Sequence, residues 1–212
     1  MSYGKSWEKH QIEMNEIWTN GNNSFVSVND ITKTFPDYMY SADMIYCDPP
    51  WSLQNVNMFN SKAGKGYVDT FIEFYKYIFI HIKNTSPKVC YLEIGNQNKN
   101  IFYNEMKKIF NVVQIWKIKY YNKYDCYLIR GSNDSLDFDY TNLDDTKTPL
   151  ISIKNEKPNT VADFCTGRGL TGLACLNCGV PFVGTELNKR KLAVFIDKYN
   201  RSCNELFFKK YI

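Results

Sequence analysis

The sequence predicts an α/β protein built on one mixed sheet, mostly parallel, with helices on both faces and one antiparallel hairpin. Three observations predict it. Short apolar runs alternate with stretches of helical periodicity, the pattern of a parallel sheet with crossover helices. Two of those runs stop at residues that cannot continue a ladder, one at a proline pair and one at a glycine-rich turn. A third pair of runs is separated only by Asn122-Lys123, a hairpin signal. The 212 residues suit one core. Residues 1–40 read as an N-terminal extension and 41–212 as the functional domain, with 130–150 a linker inside it.

Along the chain, residues 5–17 suggest a helix, with Trp7, Ile12 and Ile17 loosely spaced, and Asn-rich 20–24 breaks it. The rest of 1–40 reads as irregular. Residues 43–47 are an apolar strand that stops at Asp48-Pro49-Pro50. Residues 68–83 carry Phe71, Phe74, Tyr75, Ile78 and Ile82 at helical spacing. A strand follows at 88–94, a helix at 101–110, and the hairpin strands at 112–121 and 124–130. Residues 131–146 are polar and acidic, a loop. A short helix is expected near 148–157, then strand 161–164, helix 169–178, strand 182–185, helix 189–200 and a last strand at 205–210.

Composition narrows the function classes. Hydrophobic residues make up 44% and charged residues 23%, as in a globular protein. The net charge of +4 is compatible with a polyanionic partner but does not by itself argue for one. The seven cysteines sit largely in apolar runs and read as reduced, buried side chains. Cys175 and Cys178 form the one Cys-x-x-Cys, without a second pair at zinc spacing, so no metal site is expected. The polar start of the chain lacks the apolar core of a secretion signal, and no run approaches the ~20 apolar residues of a membrane span. The expectation is a cytoplasmic, nucleoid-associated or nuclear protein.

Two motifs carry chemistry. The first, Asp48-Pro49-Pro50-Trp51, ends an apolar strand, where ligands bind in open α/β sheets. Asp48 offers a carboxylate acceptor, the prolines a stiff turn with free carbonyls, and Trp51 a flat face for stacking. Such a group suits a planar molecule presenting an NH2. A bare Asp-Pro-Pro-aromatic run is also a plain stiff turn whose Asp caps the next segment; its place after an apolar strand favours a site. The second motif runs Asp163-Phe164-Cys165-Thr166-Gly167-Arg168-Gly169-Leu170-Thr171-Gly172, from a strand end into a helix. Its glycines let backbone pass close beneath a ligand. Glu186 stands 17 positions beyond Gly169 at the next strand end, placed to take the hydroxyls of a ribose. Strand, Gly-x-Gly, helix, strand and acid in that order point to a nucleoside-bearing cofactor.

Together these residues resemble the DNA amino-methyltransferases, Rossmann-like enzymes that use S-adenosylmethionine to methylate adenine N6 or cytosine N4. The match is to the permuted subgroup, in which the catalytic Asp-Pro-Pro-aromatic motif precedes the cofactor motif. The resemblance spans about residues 43–200. It implies that Asp48 and the carbonyl of Pro49 accept the amine hydrogens, with Pro50 stiffening the turn and Trp51 stacking on a flipped base. It implies that Asp163, Phe164, Gly167, Gly169 and Thr171 lie along the cofactor, with Glu186 and Asn188 at its ribose end, and that the stretch after Trp51 to about Tyr67 is a mobile substrate loop. Lys62, Lys65, Lys117, Lys119 and Lys123 are candidate phosphate contacts.

Because Asp leads the motif, the resemblance favours N6 of adenine in DNA, by a site-specific or low-specificity enzyme. N4 of cytosine, adenine in RNA and a non-catalytic subunit of a nucleic-acid-binding complex are the alternatives. The chain departs from the pattern at Phe164, where proline is usual, at Arg168, where a small residue is usual, and in the short 131–147 segment, which leaves no evident target-recognition domain. Recognition is then expected from a homo- or hetero-oligomeric partner or residues 1–40, unless the enzyme has low specificity.

Overall fold

The protein is described here by a computed structural model that covers residues 4–203, 205 and 207–211. Strands β1 (Ile17–Thr19), β2 (Phe25–Val28), β3 (Met44–Cys47), β4 (Val89–Gly95), β5 (Val112–Tyr120), β6 (Tyr124–Ser132), β7 (Val161–Asp163), β8 (Phe182–Glu186) and β9 (Lys209–Lys210) form one sheet in the order β5-β6-β4-β3-β7-β8-β2-β1-β9. Its centre, β4-β3-β7-β8-β2, is parallel. The β5–β6 hairpin closes one side antiparallel, as expected. A second antiparallel edge, β1 with β2 and β9, was not expected.

That edge corrects the reading of residues 1–40 as irregular. Ile17–Thr19 and Phe25–Val28 are strands, and β2 lies parallel to β8. The helix expected over 5–17 ends at Lys9 (α1, Gly4–Lys9). The final strand is confined to β9, and residues 204 and 206 of that region lie outside the described residues.

Helices α2 (Leu53–Lys62), α3 (Ile72–Thr85), α4 (Lys99–Lys107), α5 (Thr148–Glu156), α6 (Leu170–Cys178) and α7 (Lys189–Ser202) complete the layers. The central strands bury both faces in two apolar clusters. Along β3, Met44 and Tyr46 enter the cluster that also holds Phe195 and Ile196 of α7. Ile45 and Cys47 enter the one with Ile78 of α3 and Phe102 of α4. This alternation is the period of two of a pleated strand.

The same parity organises polar residues. Val26 and Val28, Tyr46, Tyr91, Val161 and Phe182 all face the α7 side of the sheet. Continuing each of these strands in steps of two leads to Asp30, Asp48, Glu93, Asp163 and Glu186. Five parallel strands therefore bring five acids to the carboxyl edge on one face.

Candidate active site

A cavity of about 1310 Å³ opens at that edge, and all five acids line it. The β5–β6 hairpin and the 133–147 loop close one end, adding Tyr120, Tyr121 and Asp145. The loop is held by Lys119 N–H donating to Leu143 O (2.8 Å) and Asp145 N–H to Lys119 O (2.8 Å).

Asp48 follows β3 directly. Trp51 Nε1–H donates to its Oδ1 at 2.7 Å. Trp51 is fixed in turn by Asn98 Nδ2–H donating to its carbonyl (2.7 Å) and by packing on Gly95, where a Cβ would come within 2.9 Å of the indole. Its ring meets the edge of Tyr120 at 4.8 Å. Asp48 is open to the water of the cleft yet hemmed by protein on its other sides. That crowding pushes its carboxyl up to about 7; the Trp51 hydrogen bond pulls it down, while the charge of Asp145 raises it further.

Beneath Asp48 lies Glu93, 2% exposed. The hydroxyl of Tyr46 donates to it in a short hydrogen bond, and Thr148 Oγ1 donates at 3.1 Å. Burial and then the charge of Asp48 push Glu93 well above the usual carboxylate range. Glu93 is thus part of the cleft floor, with its oxygen engaged from below.

The second motif arrives from the neighbouring strand. Asp163 is 3% exposed, and its Oδ1 accepts from Cys165 N–H at 2.9 Å. Burial pushes its carboxyl up to about 7, opposed by hydrogen bonds from Cys165 and Thr171. Glu186 closes β8. Its Oε2 accepts from Gly167 N–H (2.7 Å) and its Oε1 from Asn188 N–H (2.8 Å), which ties the glycine turn to the next strand end. A carboxylate offers about four lone pairs, so both oxygens keep acceptor capacity for hydroxyls.

The two glycines of the turn differ. Gly167 has φ +57°, and a Cβ there would meet only Cys165 O at 3.6 Å. Its outer face is open to the cleft. Gly169 has φ +84°, but a Cβ there would lie 1.8 Å from Phe195 Cδ2. Gly169 lets α6 seat against α7 and is not among the lining residues, whereas Asp163, Phe164, Gly167 and Thr171 are.

Asn188, expected at the cofactor, caps α7 by accepting from Arg190 N–H (3.0 Å), and its Nδ2 donates to Lys62 O (3.2 Å). It too stands outside the lining. Of the stretch after Trp51 to about Tyr67, expected as a loop, Leu53–Lys62 is helix α2 and only 63–67 is turn and irregular chain. Ser52 caps it, its side chain accepting from Asn55 N–H (3.3 Å). Of the lysines expected at phosphates, Lys65 pairs with Asp30, and Lys117 and Lys119 both pair with Asp125. Lys62 and Lys123 have no acidic partner among the described residues.

Sequence reading missed Asn29, Asp30, Glu93 and Asp145. Asp30 was legible in principle, since it follows the apolar run Phe25–Val28 as Asp48 follows its own strand. Burial would raise its carboxyl, but hydrogen bonds from Lys65 and Thr32 hold it below the usual value. Among the described residues no cluster of His, Cys, Asp and Glu could hold a metal ion.

No protein-family model matches the chain, and no curated protein matches it in sequence. Solved structures match in fold. M1.HpyAVI in complex with S-adenosylmethionine superposes with a TM-score of 0.57 at 14% identity, covering 82% of this chain and 97% of that one. TTHA0409 of Thermus thermophilus, complexed with S-adenosyl-L-methionine, gives 0.58 at 14% identity, covering 83% and 93%. PvuII DNA methyltransferase, cytosine-N4-specific, gives 0.52 at 13% identity, covering 89% and 96%. The chain therefore has the mixed α/β fold of these proteins.

Proposed function

We propose that this chain is an S-adenosylmethionine-dependent methyltransferase that acts on the exocyclic amine of a nucleobase, with N6 of adenine in DNA as the leading substrate. The observation that carries the reading is the meeting of Asp48–Trp51 with Gly167 and Glu186 in one cavity, although the two motifs lie more than a hundred residues apart. The cavity exceeds the roughly 300–1,000 Å³ of an ordinary small-molecule site, which leaves room for a cofactor and a base together.

The residues fit the cofactor. Asp163 supplies a buried carboxylate for a cationic methionine part. Gly167 presents a face without a side chain, and Glu186 keeps lone pairs for ribose hydroxyls. When bound, S-adenosylmethionine supplies an activated methyl group for direct transfer to nitrogen. Asp48 holds the amine by accepting one of its hydrogens at Oδ2, the oxygen that Trp51 does not engage. The carbonyl of Pro49 is the second acceptor. Two such bonds fix the nitrogen and leave its lone pair for attack, so orientation and electrostatics do the work. A carboxyl that titrates near 7 can also receive the proton the nitrogen sheds. Trp51 holds the plane of a base taken out of its stack. Outside the acidic floor, Lys62, Lys76, Arg190, Lys191 and Lys198 rim the cavity, a charge arrangement suited to a polyanion.

The Asp that leads the motif supports adenine; the PvuII enzyme, cytosine-N4-specific and similar in fold, supports cytosine N4 as the second reading. The test is calorimetric titration with S-adenosylmethionine, then transfer of a tritiated methyl group to DNA and RNA, with the product nucleoside identified by mass spectrometry. Asp48→Ala is expected to abolish transfer and leave cofactor binding nearly intact. Binding without transfer to any nucleic acid, with and without a partner subunit, supports the non-catalytic alternative. Full activity of Asp48→Ala overturns the assignment.

A further inference from the structure

The tip of the β5–β6 hairpin has features that folding alone does not ask for. Tyr121 and Asn122 have φ of +50° and +56°. Two left-handed residues in succession make the tight hairpin turn, closed by Lys123 N–H donating to Tyr120 O at 3.0 Å. Asn tolerates that conformation, but a tyrosine does so at a cost, and glycine would be the inexpensive residue. The strained tyrosine is not repaid by burial: Tyr121 is 62% exposed, and Tyr124 beyond it is 67% exposed.

The tip is nonetheless held firmly. Tyr121 N–H donates to Asp145 Oδ1 at 2.9 Å, and Tyr121 rests edge-on against Tyr120 at 4.5 Å. Tyr120 touches Trp51. A line of aromatic rings thus runs from the Asp48 carboxylate to the outer surface, with Tyr121 still lining the cavity at its mouth. Lys123 stands at the same tip without an acidic partner among the described residues, whereas Lys117 and Lys119 lower on the hairpin are neutralised by Asp125.

We propose that this tip is the strand-contacting surface of the chain, which takes a single-stranded or locally unstacked stretch of nucleic acid. It rests on the proposed function, and it concerns the nucleotides that flank the target rather than the target itself. Tyr121 stacks on the base next to the one taken into the cavity, Tyr124 on the following base, and Lys123 meets the phosphate between them. Strain that holds a ring outward in one pose reduces the ordering cost of stacking. Aromatic stacking of this kind is tolerant of sequence, since every base has a π face.

The experiment is fluorescence anisotropy with a labelled adenine-containing single-stranded oligodeoxynucleotide, beside calorimetry with S-adenosylmethionine and steady-state methyl transfer. Tyr121→Ala and Tyr124→Ala are each expected to weaken oligonucleotide binding by about tenfold or more, as loss of a stacked base does. For Tyr124→Ala, which lies outside the cavity lining, the KM for the oligonucleotide rises while kcat and cofactor affinity stay near wild type. Tyr121→Phe restores binding, because it keeps the ring. Lys123→Glu, at an exposed position, weakens binding on its own and keeps the test informative if Tyr121→Ala does not fold. If wild-type protein binds and methylates the oligonucleotide while the tip variants match it, this inference is overturned and the proposed function stands. If wild-type protein neither binds nor methylates any nucleic acid, both fall together.

Discussion

The indole nitrogen of Trp51 donates to the very carboxylate, Asp48, that the chain presents to its cavity, at 2.7 Å. The aromatic residue of the motif therefore does more than offer a flat face. It fixes the rotamer of Asp48, leaves one oxygen open, and favours the ionised form of a group that its surroundings push up to about 7.

Trp51→Phe separates these roles. The ring remains and the donor is lost. Turnover is expected to fall roughly tenfold or more, the scale of a hydrogen bond to a charged group discounted for the solvent access of Asp48. Because the lost bond favoured the ionised carboxylate, Asp48 titrates higher in the variant. The acid limb of the pH–rate profile, expected near pH 7 in the wild type, moves to higher pH. A variant with reduced turnover and an unmoved acid limb removes Asp48 as the group behind that limb.

Cofactor binding should depend on pH in one direction. Asp163 is buried and pushed up from its ordinary value to about 7, so below that pH the folded protein holds a proton the unfolded chain would already have released. The contribution of Asp163 to the stability of the free protein therefore declines as pH rises from about 4 to about 7. A cationic ligand prefers the ionised carboxylate. Affinity for S-adenosylmethionine is expected to fall by up to about tenfold per pH unit below pH 7 and to level off above it. Calorimetry in buffers of different ionisation enthalpy should register proton release on binding at pH 6; no release at that pH excludes the coupling.

Stability and site can also be separated outside the cavity lining. Arg130, 3% exposed, donates through Nε to Glu156 Oε1 (2.7 Å) and through Nη2 to Oε2 (3.3 Å), and Tyr91 donates to the same carboxylate at 2.6 Å. Glu156→Ala leaves a buried guanidinium without its counter-charge. A loss of about 3 kcal/mol is expected, at the lower end for such pairs because Glu156 keeps some solvent access. Urea unfolding measures it. Cofactor affinity at low temperature should be unchanged, since the pair lies outside the cavity lining.

How much of this was legible in the sequence follows from how local each signal is. The strands that end in Asp48, Asp163 and Glu186 are apolar, punctuated and followed by helix or turn signals, so their order and their common edge could be read directly. β1 and β2 were not, because Ile17–Thr19 and Phe25–Val28 are very short and flanked by asparagines. Their stability comes from pairing with β8 and with each other, across about 160 residues of chain in the first case. Helix α2 was hidden by its three asparagines and the Gly64-x-Gly66 that follows, which suggested a loop; the Ser52 cap was the available signal. Asp145 sat in an acidic segment that reads as solvated linker. Only the β-bridge of that segment to Lys119 turns its carboxylate into the cavity. The hairpin turn was read one residue short: Asn122 and Lys123 lie in it as expected, but Tyr121 opens it, and a tyrosine at positive φ is not a residue that turn statistics nominate.

The two glycines of the cofactor-side turn provide the sharpest separation of fold from function. Gly167→Ala places a methyl group on the face open to the cavity, where it meets only Cys165 O at 3.6 Å. The cost to stability is then that of the left-handed backbone alone, about 1 kcal/mol. Gly169→Ala incurs the same backbone cost and drives its Cβ to 1.8 Å from Phe195 Cδ2, in a ring already packed on Phe182 at 5.5 Å. That is overpacking between α6 and α7, and the loss is expected to reach about 3 kcal/mol or more. Thermal unfolding and titration with S-adenosylmethionine should therefore give opposite orders. Gly169→Ala is the less stable protein; Gly167→Ala, though folded, is the weaker binder, because its methyl group occupies the space where a ligand must approach the backbone. Equal cofactor affinity in Gly167→Ala and wild type means that nothing binds against this turn, and the cofactor must then be sought elsewhere in the cavity.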